Sequence, residues 1–215
     1  MRRMNFLILS NPVKIMKKLV PKDSQNDYDS FMTECLRSAE CTEDFIRSAS
    51  MKINNLAIEF YDRIGELFMM LGLHAAVARE GDVNCRFDAI IIDPECSIPI
   101  EIKSPREDPE INIKAVRQAL ENKIVLLSRK FYNTRPECTS LAIALNYPPH
   151  RSDVYGLIND IKSAFGFNIG IINVADILYL TYQSKVNGKR IDFRYLFTLF
   201  GKFDREKAFH KEPGL

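Results

Sequence analysis

From Ser50 to Gly72 the apolar residues return at steps of three and four: Ile53, Leu56, Phe60, Ile64, Leu67 and Leu71. That period predicts a long amphipathic helix, and Gly72 stands where a helix C-cap belongs. The pattern then shortens. Short runs at about 73–79, 86–93 and 97–103, the last two rich in isoleucine, predict three strands, with turns at Gly81 to Asn84 and at Asp93, Pro94 and Glu95. A second helical period runs from about Ile113 to Phe131 through Val116, Leu120, Ile124 and Leu127. Ser140 to Leu145 is short and continuously apolar, as a strand buried on both faces would be. Ser152 and Asp153 cap a helix to about Phe165, Asn168 to Asn173 is another buried strand, and Ala175 to Gln183 is helical.

The flanks are less patterned. Residues 12 to 50 read as helical and polar-rich, broken at Pro21 to Asp27, with Asp29 and Ser30 capping one helix and Thr42 opening a further turn or two. The tail, with Ile191, Phe193, Tyr195, Leu196, Phe197, Leu199 and Phe200, is expected to form a helix packed on the body or on a partner. Strands that begin as a meander and then alternate with helices predict an α/β fold, a mixed β-sheet flanked by helices on both faces.

Composition narrows the class only slightly. The 215 residues, 46% hydrophobic and 27% charged, suit a globular chain of about one domain plus extensions. A formal charge of +2 does not advertise a nucleic-acid binder, so any basic surface is local. The five cysteines show no metal-ligand spacing and read as scattered reduced thiols of a cytoplasmic protein. The apolar run near Phe6 is too short for a signal peptide, and no stretch approaches a membrane span, so a membrane is not expected as a partner.

The chemistry concentrates between Asp88 and Lys103. In Ile100, Glu101, Ile102 and Lys103 the aliphatics alternate with the charges, so on a strand Glu101 and Lys103 share one face. Asp88 lies on the neighbouring strand. Two carboxylates and an ammonium meeting there suit Mg2+, which takes oxygen ligands, keeps several waters and needs few protein groups; Mn2+ suits the same donors. Asp88, Glu101 and the Ile102 carbonyl are the expected metal ligands. Lys103 would serve the attacking water or the transition state. The same residues on strands also suit the plain solvent face of an amphipathic hairpin.

A helix carboxylate often completes such a site. If Asp88 faces about residue 77, it lies ~17 Å of strand beyond Gly72, which corresponds to about residue 61 on the preceding helix. Glu59 is nearer that level than Glu66, so Glu59 is preferred and Glu66 held in reserve.

Asp88 followed by Glu101, Ile102 and Lys103 resembles the PD-(D/E)XK nuclease signature, with Phe87 where the family often has proline. The wider stretch from Glu101 to Glu107, continuing through Lys114 to Val125, is similar to the cleavage modules of type IIS restriction endonucleases, the FokI-like group. The resemblance spans roughly residues 50 to 182. It implies a restriction-endonuclease-like fold, with a helical N-terminal extension at 1–50, a nuclease core at 51–183 and a C-terminal helical extension at 184–215. It also implies a magnesium-dependent DNA endonuclease acting on double-stranded DNA, the small subunit of a heterodimeric restriction enzyme. Its partner would be a larger subunit that recognises the DNA and nicks the other strand, or a second copy in a homodimer. The alternatives are a stand-alone repair, junction or transposition nuclease of the same fold, and a non-catalytic assembly subunit. Gln118, on the helix after the site, reaches either the site or the surface. His74, His150 and His210 follow no catalytic spacing.

Overall fold

A computed structural model describes residues 43–55, 60–78, 87–129 and 131–210. The helices read before Thr42, the turn at Gly81 to Asn84 and Glu59 lie outside the described residues. Helix α1 (Glu43–Asn55) joins the turns expected after Thr42 to the stripe read from Ser50, and α2 (Phe60–Met70) carries Phe60, Ile64 and Leu67 of that stripe. Gly72 follows α2 at a φ of 88°, a left-handed turn that glycine adopts without strain.

The three short strands are β1 (His74–Val77), β2 (Ala89–Ile92) and β3 (Ile98–Ile102). They pair as an antiparallel meander, with Val77 opposite Ala89 and Ala89 opposite Ile100. Helix α3 (Ile113–Ser128) then crosses to β4 (Thr139–Ala144), and α4 (Asp153–Phe165) crosses to β5 (Asn168–Asn173). Strands β3, β4 and β5 run parallel, as helical crossovers demand. The sheet is six-stranded, in chain order from β1 to β6. Side-chain oxygens of Asn112, Ser152 and Asn173 cap α3, α4 and the following α5 (Val174–Lys185), satisfying first-turn amides.

Apolar side chains divide between the two faces. Ala115, Val116 and Ala119 of α3 and Val154, Ile158 and Ile161 of α4 pack with Ala142, Ala144, Ile169 and Ile171. Helices α1, α2 and α5 pack on one another, with α2 also against β1 and α5 against β5. Lys123 is wholly buried on α3, and its ammonium donates to Thr134 Oγ1 and the Arg135 carbonyl, tying the loop before β4 to the helix.

Two expectations are corrected. The tail is not one helix: a five-residue α6 (Phe193–Phe197) is followed by β6 (Gly201–Lys202), which joins the sheet parallel to β5. Leu196, Leu199 and Phe203 of this segment are buried, so its apolar residues complete the core. Cys96 and Cys138, read as separate thiols, are joined in a disulfide across a sequence separation of 42. Among the described residues no helix is long and apolar enough to cross a membrane.

The tail is seated at Gly170. A methyl group there would lie 2.8 Å from Leu199 Cδ2 and 3.0 Å from Leu141 Cδ2. Gly170→Ala is expected to lower the unfolding free energy by about 1–3 kcal/mol, measured by urea denaturation. A variant as stable as wild type would show that Leu199 moves aside freely.

Candidate active site

The site begins with the hairpin register. Since Ala89 is opposite Ile100, the next position outward sets Asp88 opposite Glu101, with both side chains on one face. Asp88 Oδ2 accepts a 2.8 Å hydrogen bond from the Ile102 amide, which fixes the carboxylate across the end of β3. The Asp88 carbonyl accepts from Ala78 N, one residue from the level expected.

Glu101 and Lys103 are 4% and 6% exposed. This burial decides against the solvent-facing hairpin, because charged groups taken from water at this depth need partners. The partners are present. Lys103 Nζ lies 2.9 Å from Glu101 Oε1, and Asn122 Nδ2 of α3 donates to Glu101 Oε2 at 3.1 Å. One helical turn before Asn122, the Gln118 side-chain oxygen is buried with no hydrogen-bond partner.

The Asp88 carboxyl is pushed up to about 7, first by burial and then by the Glu101 carboxylate, with Glu107 adding to the rise. The Ile102 amide and Lys103 act in the opposite direction without cancelling it. Burial and the neighbouring carboxylates together outweigh what Lys103 offsets at Asp88.

The helix preceding the meander also reaches the site with a residue that the sequence reading did not single out. Tyr61 of α2, at the level computed from the strand length, points its hydroxyl at the Ile102 carbonyl (3.1 Å) and at Glu107 Oε2 (3.2 Å). Burial and the Asp88 and Glu107 carboxylates hold its phenol well above the ordinary range, so it is a neutral donor. Glu66, the reserve candidate, is bonded to Arg63 Nη1 at 2.9 Å on the same helix. The structure thus brings Asp88, Glu101, Lys103 and the Ile102 carbonyl together, and adds Tyr61, Glu107 and Asn122. Glu107 lies within the stretch already noted for its likeness. Tyr61 and Asn122 carry no sequence signal beyond helix level and helix face.

The donor set fits a hard divalent cation. Asp88 and Glu101 supply two carboxylates, and the Ile102 carbonyl has a lone pair beyond the one Tyr61 uses. The raised Asp88 carboxyl is an acidic excess that such a cation would relieve. Among the described residues no group of three His, Cys, Asp or Glu side chains is placed to hold a metal ion.

No family model and no curated protein matches the chain. Among solved structures, the restriction endonuclease FokI bound to DNA aligns with 94% of this chain at a TM-score of 0.54 and 13% identity. A second structure of FokI aligns with 88% at a TM-score of 0.53 and 12% identity. The chain spans about a third of the length of FokI, 36% in both cases. The fold is accordingly restriction-endonuclease-like, a mixed six-stranded α/β sheet similar to that part of FokI.

The electrostatics predict a pH dependence. The folded chain holds the Asp88 proton more tightly than the unfolded chain. The stability this contributes is complete below pH 3.8 and is lost as pH rises through about 7. In chelator, the stability of Asp88→Asn relative to wild type should increase between pH 4 and 7, by on the order of a few kcal/mol. Added Mg2+ should close that gap. Urea unfolding at stepped pH measures it, and parallel curves for the two proteins would refute the assignment.

Proposed function

We propose that this chain is a divalent-metal-dependent DNA endonuclease that hydrolyses one strand of a duplex per active site. The observation that carries the reading is the buried Glu101–Lys103 pair at the end of a parallel strand, directly opposite Asp88. Burying two charges is expensive, and replacing such a pair by apolar residues is often neutral or stabilising. A fold that retains one beside a second carboxylate is arranged for chemistry more than for stability.

Asp88, Glu101 and the Ile102 carbonyl would hold Mg2+ or Mn2+. When bound, the cation makes a water more acidic and offsets charge building on the phosphate. Lys103 has three donors and gives one to Glu101, so two remain to orient the attacking water and to meet the phosphate oxygen. Asn122 holds the far oxygen of Glu101, which keeps that carboxylate aimed while Lys103 turns to substrate.

DNA as the substrate is supported by the fold shared with FokI, one of whose structures holds DNA. One site cuts one strand, so a double-strand break needs a second site. We read this chain as the small subunit of a type IIS enzyme, cutting beside a larger recognition-bearing subunit or a second copy of itself. A charge of +2 suits a chain delivered to DNA by a partner, because phosphate contacts supply most non-specific affinity.

The test is Lys103→Ala in a plasmid-nicking assay with Mg2+, on material co-purified from native cells and on the chain alone. Nicking should fall about 100-fold or more, while the circular-dichroism spectrum and partner association stay as in wild type. Unchanged cutting would overturn the mechanism.

A further inference from the structure

Tyr61 has a role that the nuclease signature does not include. Its hydroxyl reaches from α2 to the end of β3, and it carries a single proton between two acceptors, the Ile102 carbonyl and Glu107 Oε2. One of these is an expected metal ligand. The other belongs to the turn that follows Lys103, where Glu107 N donates to the Ser104 carbonyl at 2.9 Å and Ser104 N donates back to Glu107 Oε2 at 3.3 Å. Glu107 is thereby fixed within electrostatic reach of Asp88.

We propose that Tyr61 and Glu107 act as one positioning unit for the cation. The inference rests on the metal-site reading above. Tyr61 sets the direction of the Ile102 carbonyl and holds Glu107 where it faces the ion through its water shell. Glu107 adds negative charge within reach of Asp88. Neither residue contacts the reacting atoms. Partners of this kind commonly change metal affinity by about 10–100-fold when removed. Since both act through one shared hydroxyl proton, losing either breaks the same link.

Calorimetric titration of the full chain with Mn2+ at fixed pH tests this, using wild type, Asp88→Asn, Tyr61→Phe, Glu107→Gln and the double variant. Tyr61→Phe and Glu107→Gln should each weaken Mn2+ binding about tenfold, and the double variant should be no worse than either alone. Glu107 is exposed on its turn, so Glu107→Gln keeps the test intact should Tyr61→Phe fold poorly. Wild-type affinity in Glu107→Gln and Tyr61→Phe, with binding lost in Asp88→Asn, overturns this inference and leaves the metal site standing. Losses that multiply to about a hundredfold in the double variant overturn the shared link. A wild-type chain that takes up no Mn2+ overturns both this inference and the metal reading.

Discussion

The register that pairs Ala89 with Ile100 decides which side chains meet in this protein. A slip of one residue would send Asp88 to the other face and expose Ile91, which is completely buried. The turn between the strands holds that register. Asp93 Oδ1 accepts from the amides of Glu95 and Cys96, and Ser97 Oγ bonds the Asp93 backbone from the other side. Asn133 clamps the turn from outside, donating to the Pro94 carbonyl and accepting at its own carbonyl from Ser97 N. A short polar loop is thus made rigid, and the rigidity appears at the opposite end of the hairpin as a fixed Asp88–Glu101 pair.

Burial gives that pair its character. In water a carboxylate and a lysine side by side contribute little. At the depth of Glu101 and Lys103 each depends on the other, and loss of one leaves an uncompensated charge costing roughly 3–5 kcal/mol. Helix α3 makes the depth tolerable. Asn122 offers Glu101 a neutral donor, and the Ser140 hydroxyl, donating to the Ala119 carbonyl at 2.7 Å, ties the helix to β4 beneath the site. Packing, polar satisfaction and the direction of the functional groups are therefore one arrangement. Helix α3 could not shift without baring Glu101.

Strands and helices with a clear period were legible in the sequence. Asn168 to Asn173 has the bounds expected, and the helix from Ile113 ends three residues before the expected Phe131. The meander was legible because two strong turn signals separate three short runs, two of them rich in isoleucine. A strand of two residues has no period at all, so Gly201 and Lys202 passed for part of a helix. Cys96 and Cys138 meet only because the sheet forms, and spacing along the chain carries no trace of it. The site shows the same division. That Asp88, Glu101 and Lys103 would lie near one another was legible because alternation along a strand is a local rule. Counting rises along strand and helix reached the level of residue 61, where Tyr61 meets the Ile102 carbonyl, but a hydroxyl carries no charge pattern to mark it.

Charge balance explains why a tyrosine suits that position. Asp88, Glu101 and Glu107 already interact with one another, with Lys103 as the cation bonded among them. A further carboxylate from α2 would have to ionise beside Asp88, whose own ionisation is pushed up to about 7. Without a cation bound it would protonate or destabilise the fold. A phenol kept neutral by the same neighbours reaches as far, donates where a carboxylate only accepts, and adds no charge. Its hydrogen bonds to the Ile102 carbonyl and to Glu107 hold two oxygens in place at no cost in repulsion.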